Sequence, residues 1–150
     1  MEEEVKPLII GEAPSKNEET PRPIEGRIGK RLANYAGISL YDFLAMFDRT
    51  NLLHVRQDTK EKGFEFDLPS ARIAAATIMK ALNDDDLVLL LGGRVAEAFG
   101  VHDNYFAKVK LGRAEAYILP HPSGVNRWHN DPENKAKMTA FMRKIVERIR

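Results

Sequence analysis

The chain runs to 150 residues, 43% of them hydrophobic and 30% charged, with a formal net charge of +1. That favours a single domain able to bury its own core without a metal or disulfide staple. It contains no cysteine, which excludes a disulfide framework, a thiol nucleophile, a cysteine zinc site and a thiolate-held iron–sulfur cluster.

No apolar run approaches the roughly 20 residues that span a bilayer. The acidic start, Met1-Glu2-Glu3-Glu4, speaks against a secretory signal. The expectation is an intracellular protein with no membrane contact. A charge near zero is neutral on nucleic acid, because a small footprint needs only a local basic face.

In chain order, residues 5–10 form a short apolar run entering Gly11, the pattern of a buried strand. A short helix over 29–36 is stopped by Gly37, and 47–53 is a second strand. Residues 69–83 form a longer helix opened by Pro69 and Ser70, with Ile73, Ile78, Leu82 and the alanines as its packing face. Leu87–Leu91, closed by Gly92-Gly93, is the clearest buried strand, and 95–99 continues as a helix that Gly100 stops. Ala114–Leu119 is a fourth strand, running into Pro120. Asp131-Pro132-Glu133 begins a long helix in which Met138, Phe141, Met142, Ile145 and Ile149 share one side.

Alternating strands and helices, with continuously apolar strands, predict a three-layer α/β/α sandwich around a four-stranded, mostly parallel sheet. Ligands of such sheets sit outside the carboxyl ends of the strands. The segments 11–29, 51–56 and 121–131 each follow a strand, so this organisation predicts that they converge on one edge.

Each segment carries chemistry. In the first, Gly11-Glu12-Ala13-Pro14 precedes Glu18, Pro23, Gly26 and Gly29; glycine lets backbone approach a ligand, and a buried Glu12 orients water or stabilises positive charge. A Gly/Pro connector with a solvated Glu explains the same residues. In the second, Asn51 offers a donor and an acceptor, which suits the edge of uracil or thymine; a strand-end Asn making a local turn is the plainer reading. In the third, Pro120 and Pro122 flank His121, and a held imidazole stabilises an anion on a leaving base; a surface-loop histidine is the alternative. Ser123, Asn126, Arg127 and Trp128 follow, combining amides, a phosphate-capable cation and an aromatic wedge. Trp128 reads equally as a plug over the last helix. Arg22, Arg27, Lys30 and Arg31 form a basic cluster able to hold phosphates, or a solvated face. The cations of the last helix read as solvated.

Together these segments resemble the uracil-DNA glycosylase superfamily across nearly the whole chain. Gly11-Glu12-Ala13-Pro14…Glu18…Pro23…Gly26…Gly29 is similar to the first motif of its thermophilic iron–sulfur branch. Thr50-Asn51-Leu52 is similar to the strand bearing the base-reading Asn, Leu90–Ala96 to the third-strand turn, and Leu119-Pro120-His121-Pro122-Ser123 to the second signature motif. The resemblance implies a monofunctional glycosylase acting on a flipped-out base in single- or double-stranded DNA. Glu12 and His121 would be catalytic. Gly11, Ala13, Pro14, Ile24 and Asn51 would hold the base, and Arg27, Lys30, Ser123, Asn126, Arg127 and Trp128 would contact DNA. No cofactor and no metal are implied, and a cytoplasmic or nucleoid-associated monomer is expected.

The chain also departs from the pattern. Ala13 stands where many members have a water-positioning Asp or Asn, which leaves Glu12 as the candidate. Ile24 stands near the aromatic that stacks on uracil, and the branch's four cysteines are absent. Two alternatives stay open: a non-catalytic DNA- or nucleotide-binding member of the fold, and a nucleotide- or sugar-phosphate-processing α/β enzyme. The first loop lacks the Lys-Ser/Thr ending of a P-loop and the spacing of a dinucleotide fingerprint.

Overall fold

The computed structural model describes residues 6–14, 23–54, 58–59, 63–64, 66–123 and 126–149. Its central sheet has five strands, not four, in the order β2-β1-β5-β7-β6. These are β1 (Leu8–Gly11), β2 (Asp48–Asn51), β5 (Leu87–Leu91), β6 (Lys108–Leu111) and β7 (Ala114–Leu119), with a separate two-stranded pair, β3 (Asp58–Thr59) and β4 (Gly63–Phe64). Pairings β1–β2, β1–β5 and β5–β7 are parallel, while β6–β7 is antiparallel. The additional strand is β6. A two-residue connection, Gly112-Arg113, puts Leu111 opposite Ala114, and so short a link joins only antiparallel neighbours. Its sequence, Lys-Val-Lys-Leu, is that of an edge strand, where exposed lysines discourage pairing with another chain.

Helices cover both faces. Helices α1 (Arg27–Ala36), α2 (Leu40–Met46) and α5 (Pro132–Ile149) lie on one, and α3 (Leu68–Ala81) and α4 (Gly93–Ala98) on the other. β5 alternates between two cores: Leu87, Leu89 and Leu91 face α1 and α5, and Val88 and Leu90 face α3 and α4. All five residues are buried, which is why the strand reads as an unbroken apolar run.

α2 was not among the expected elements, although its start is an ordinary one: the Ser39 side chain accepts from the Asp42 backbone N–H at 3.0 Å. α3 is capped by Asp67, whose Oδ1 accepts from Ser70 N at 3.2 Å. Of the expected packing face, Ala71, Ala75 and Leu82 are buried and Ile78 packs against the same core, whereas Ile73 is 72% exposed. Two helical positions turn a side chain by roughly 200°, so Ile73 cannot share a face with Ala71. In α5, Met138, Met142, Ile145 and Val146 are buried, and Phe141 and Ile149 pack on their margin. No helix among the described residues is long and apolar enough to cross a membrane.

Candidate active site

Because β1, β2, β5 and β7 run the same way, Gly11, Asn51, Leu91 and Leu119 all end at one edge of the sheet. The ladder sets the first contact of the site: Gly11 pairs directly with Asn51. It continues past the strand ends, with Leu52 N donating to Gly11 O at 3.0 Å and Leu53 N to Glu12 O at 2.9 Å. A Cβ on Gly11 would stand 2.5 Å from Asn51 Oδ1, so the absence of a side chain there lets the Asn51 amide reach inward. On the other side, Gly92 N donates to Leu119 O at 2.7 Å. With φ +94° and a Cβ position only 3.1 Å from His121 Cβ, Gly92 is where the backbone turns closely beneath the histidine.

Gly11, Glu12, Ala13, Ile24, Ile28, Asn51, Leu91 and His121 line one cavity. The first-motif, Asn51 and His121 segments therefore meet. Asn51 is buried at 6% exposure, and the side chains of Glu12 and His121 are 16% and 23% exposed. Glu12 Oε2 lies 3.8 Å from His121 Nε2, and Glu12 Oε1 lies 3.9 Å from Arg94 Nε. Both separations exceed a hydrogen bond. Burial pushes the His121 imidazole down to about 4, and nearby His129 and Arg94 act in the same direction. The ring is therefore neutral at pH 7, a donor on one nitrogen and an acceptor on the other. Carboxylate, carboxamide and neutral imidazole thus face one small space.

Ile24 closes that space. It is 4% exposed and holds φ +57°, an outlier for a β-branched residue. Two contacts hold it there. Gly29 packs against the Ile24 carbonyl, where a Cβ would sit 2.3 Å from the oxygen. Arg49 donates to the carbonyls of Pro23, Leu44 and Phe47 at 3.2, 2.9 and 2.8 Å, fixing the residue before Ile24. The cavity measures about 10 Å³, roughly the room one water occupies.

Beyond His121, side chains of the described residues bond back toward it or to their neighbours. Asn126 Nδ2 donates to His121 O at 2.8 Å, and Asn126 Oδ1 accepts from Trp128 N at 3.2 Å. Ser123 is half-buried and its carbonyl accepts from Arg31 Nη1 at 3.2 Å. Trp128 packs edge-on against Tyr105 and His129, with ring centroids 5.8 and 4.9 Å away. Arg27, Lys30 and Arg127 are exposed, and Pro14 is half-buried but does not line the cavity. Glu18, Arg22, Arg56, Gly124 and Val125 lie outside the described residues.

Arg94, Arg49, Tyr35 and His129 were not singled out from sequence. Arg94 sits inside the Gly92-Gly93-Arg94 turn, whose position after a strand was the available signal. The bond from Arg49 to Pro23 and the Tyr35–His129 pair join residues 26 and 94 apart, which leaves no local trace. Among the described residues, no group of three or more His, Asp or Glu side chains is placed to hold a metal ion.

In comparison with known families, the family model described as Uracil DNA glycosylase superfamily matches residues 1–150. No curated protein matches the chain.

Proposed function

The chain belongs to the uracil DNA glycosylase superfamily, and on that premise we propose that it hydrolyses the N-glycosidic bond of a flipped-out uracil, or a related or modified pyrimidine, in DNA. The observation that carries this reading is the convergence of Glu12, Asn51 and His121, from three strand ends, on one cavity.

Each residue has a role that its position supports. Asn51, buried and aimed past Gly11, pairs with the donor–acceptor edge of the pyrimidine. As the C1′–N bond lengthens, its electron pair moves onto the base and positive charge grows on the sugar. The Glu12 carboxylate stabilises that positive charge and orients the water whose oxygen bonds to C1′. Neutral His121 donates a hydrogen bond to the base anion; a fixed donor at such a position typically contributes about 10²–10³ in rate. The attacking water's proton leaves to Glu12, and the released base is protonated in turn. No cofactor enters. Exposed Arg27, Lys30 and Arg127 supply phosphate contacts.

A cavity of about 10 Å³ does not admit a pyrimidine, so base entry requires its lining to open, and Ile24 is the lining residue with a strained backbone. Its left-handed backbone is a strained conformation, costing on the order of 1–3 kcal/mol, and that lowers the cost of displacing it. The same closure, with Ala13 in place of a polar residue, favours the second reading: a member that binds DNA without hydrolysis.

Base release from labelled oligonucleotides separates the two. The panel holds uracil, thymine mismatches, hypoxanthine and hydroxymethyl- or glycosyl-modified pyrimidines in single and double strands, with His121→Ala alongside. Release of one base, reduced about 100-fold or more in the variant, is the expected result. Affinity for a damaged or abasic duplex with no turnover on any substrate would replace excision by binding.

A further inference from the structure

The catalytic histidine of the proposed reaction is tied by a chain of two hydrogen bonds to α1. Tyr35 on α1 places its hydroxyl 2.7 Å from His129 Nδ1, and His129 Nε2 lies 2.9 Å from the backbone carbonyl of His121. A carbonyl oxygen only accepts, so Nε2 carries the proton. Burial pushes His129 below its ordinary value, outweighing the opposing pull of the His121 carbonyl, so the ring is neutral at pH 7. Nδ1 is then a bare acceptor and the Tyr35 hydroxyl is its donor. The direction of the whole chain follows: Tyr35 O–H to His129, and His129 N–H to His121 O.

His129 is fully buried, at 0% exposure, and both of its ring nitrogens are matched. The His121 carbonyl receives a second donor, Asn126 Nδ2 at 2.8 Å. Two donors on one oxygen fix the plane of the peptide between His121 and Pro122. Pro120 and Pro122 restrict the torsions on either side, and Gly92 lies directly under His121 Cβ. The direction of the His121 side chain is therefore set by its backbone.

We propose that Tyr35 and His129 are positioning residues for His121: the Tyr35–His129 relay locks the His121 peptide so that the imidazole faces Glu12 and the base before the base arrives. This deepens the base-excision reading and rests on it. An imidazole displaced by about 1 Å loses on the order of 100-fold in rate, and because the relay does not touch the base, its removal lowers kcat while leaving KM for DNA nearly unchanged.

A swap of amides tests the relay. The Nε2 of glutamine occupies the place of the imidazole Nε2, while asparagine reaches only as far as Nδ1. His129→Gln keeps the donor to the His121 carbonyl, and His129→Asn loses it with similar polarity and volume. Single-turnover base release is expected to fall about 10- to 100-fold in His129→Asn, with KM within about twofold, and to return close to wild type in His129→Gln. Tyr35→Phe is expected to cost a few-fold in kcat. Equal rates for His129→Asn and the wild type would overturn the relay and leave the excision reading standing. So would a loss confined to KM, or equal losses in both His129 variants.

The ¹⁵N spectrum of the wild-type histidines provides a readout that needs neither activity nor a stable variant. The Nε2–H tautomer of His129 is expected, and an Nδ1–H tautomer overturns the relay. If the wild type releases no base at all, the excision reading falls, and His121 ring resonances that shift in His129→Asn but not in His129→Gln would still support the relay. Unshifted resonances would remove it.

Discussion

Two ends of the same sheet carry charged clusters, and they differ in how closely the charges meet. At the end holding the β6–β7 hairpin and the turn before β5, Arg113 grips Asp84 through two bonds of 3.0 Å. Nearby, Glu115 meets Lys108 at 2.9 Å and Arg148 at 3.0 Å. These partners lower the carboxyls of Asp84 and Glu115, the hydrogen bond from Arg113 and from Lys108 being the largest cause in each case. At the opposite end, Glu12 stands 3.8 Å from His121 and 3.9 Å from Arg94. Charges in direct contact neutralise each other and fasten the fold. Around the cavity the Glu12 carboxylate meets Arg94 at longer range beside a neutral imidazole, and holding polar groups in place around a reacting centre requires a rigid scaffold. Here that scaffold is the Gly11–Asn51 register, the Gly92 turn and the two prolines around His121.

The largest departure from this contrast is expected from Gly11→Ala. A Cβ would lie 2.5 Å from Asn51 Oδ1, so either Asn51 swings out of the cavity or the β1–β2 ladder shifts. Overpacking of this kind costs about 1–3 kcal/mol in stability. Base release is expected to fall at least as far as in Asn51→Ala, measured in parallel by single-turnover kinetics. Equal activity of Gly11→Ala and wild type would show that Asn51 is not held where the register places it.

Acid bears on stability rather than on base release. His121 titrates near 4 in the folded chain against an ordinary value of 6.5. The unfolded chain thus binds the proton first, and stability falls as pH drops from about 6.5 towards 4. Over that window the neutral, buried His121 accounts for up to about 3 kcal/mol. His129 is also lowered and adds in the same sense. Denaturant melts of wild type and His121→Gln across pH 7 to 4 are expected to converge in slope towards neutral pH and to diverge below 6.5, the variant losing less. Parallel curves would mean that His121 titrates alike in the folded and unfolded chain.

The smallest effect is expected from Asp84→Asn. Both partners of that pair are about 70% exposed, and surface ion pairs contribute little. Unchanged base release and a barely altered melting temperature would keep the two ends of the sheet functionally separate. A loss of activity there would couple them.

Much of the architecture was legible before any coordinates. β5 and β7 carry the bounds that their apolar runs suggested, and the parallel-sheet rule brought Glu12, Asn51 and His121 to one edge. What escaped reading shares a physical reason. β6 alternates lysines with apolar residues and is short, so only its two-residue link to β7 marks it as a strand. Ile73 looked apolar enough for the core, but helix geometry turns it outward. The left-handed backbone of Ile24 lies against Gly29 and beside the Pro23 carbonyl bonded by Arg49, whereas β-branching points the other way. His129 finds Tyr35 across 94 residues, a pairing that no local window contains. Local pattern specifies strands and their ends; the supports behind a site come from parts of the chain far from it.

The chain has one tryptophan, and it is Trp128, half-buried between Tyr105 and His129 at the end of the histidine loop. Its emission therefore comes from a single, known place. Indole emission depends on the polarity and contacts of its surroundings, so a rearrangement around Trp128 should change brightness and colour without an added label. The molecule carries its own optical gauge of the segment that holds His121, readable in a stopped-flow cuvette while DNA arrives.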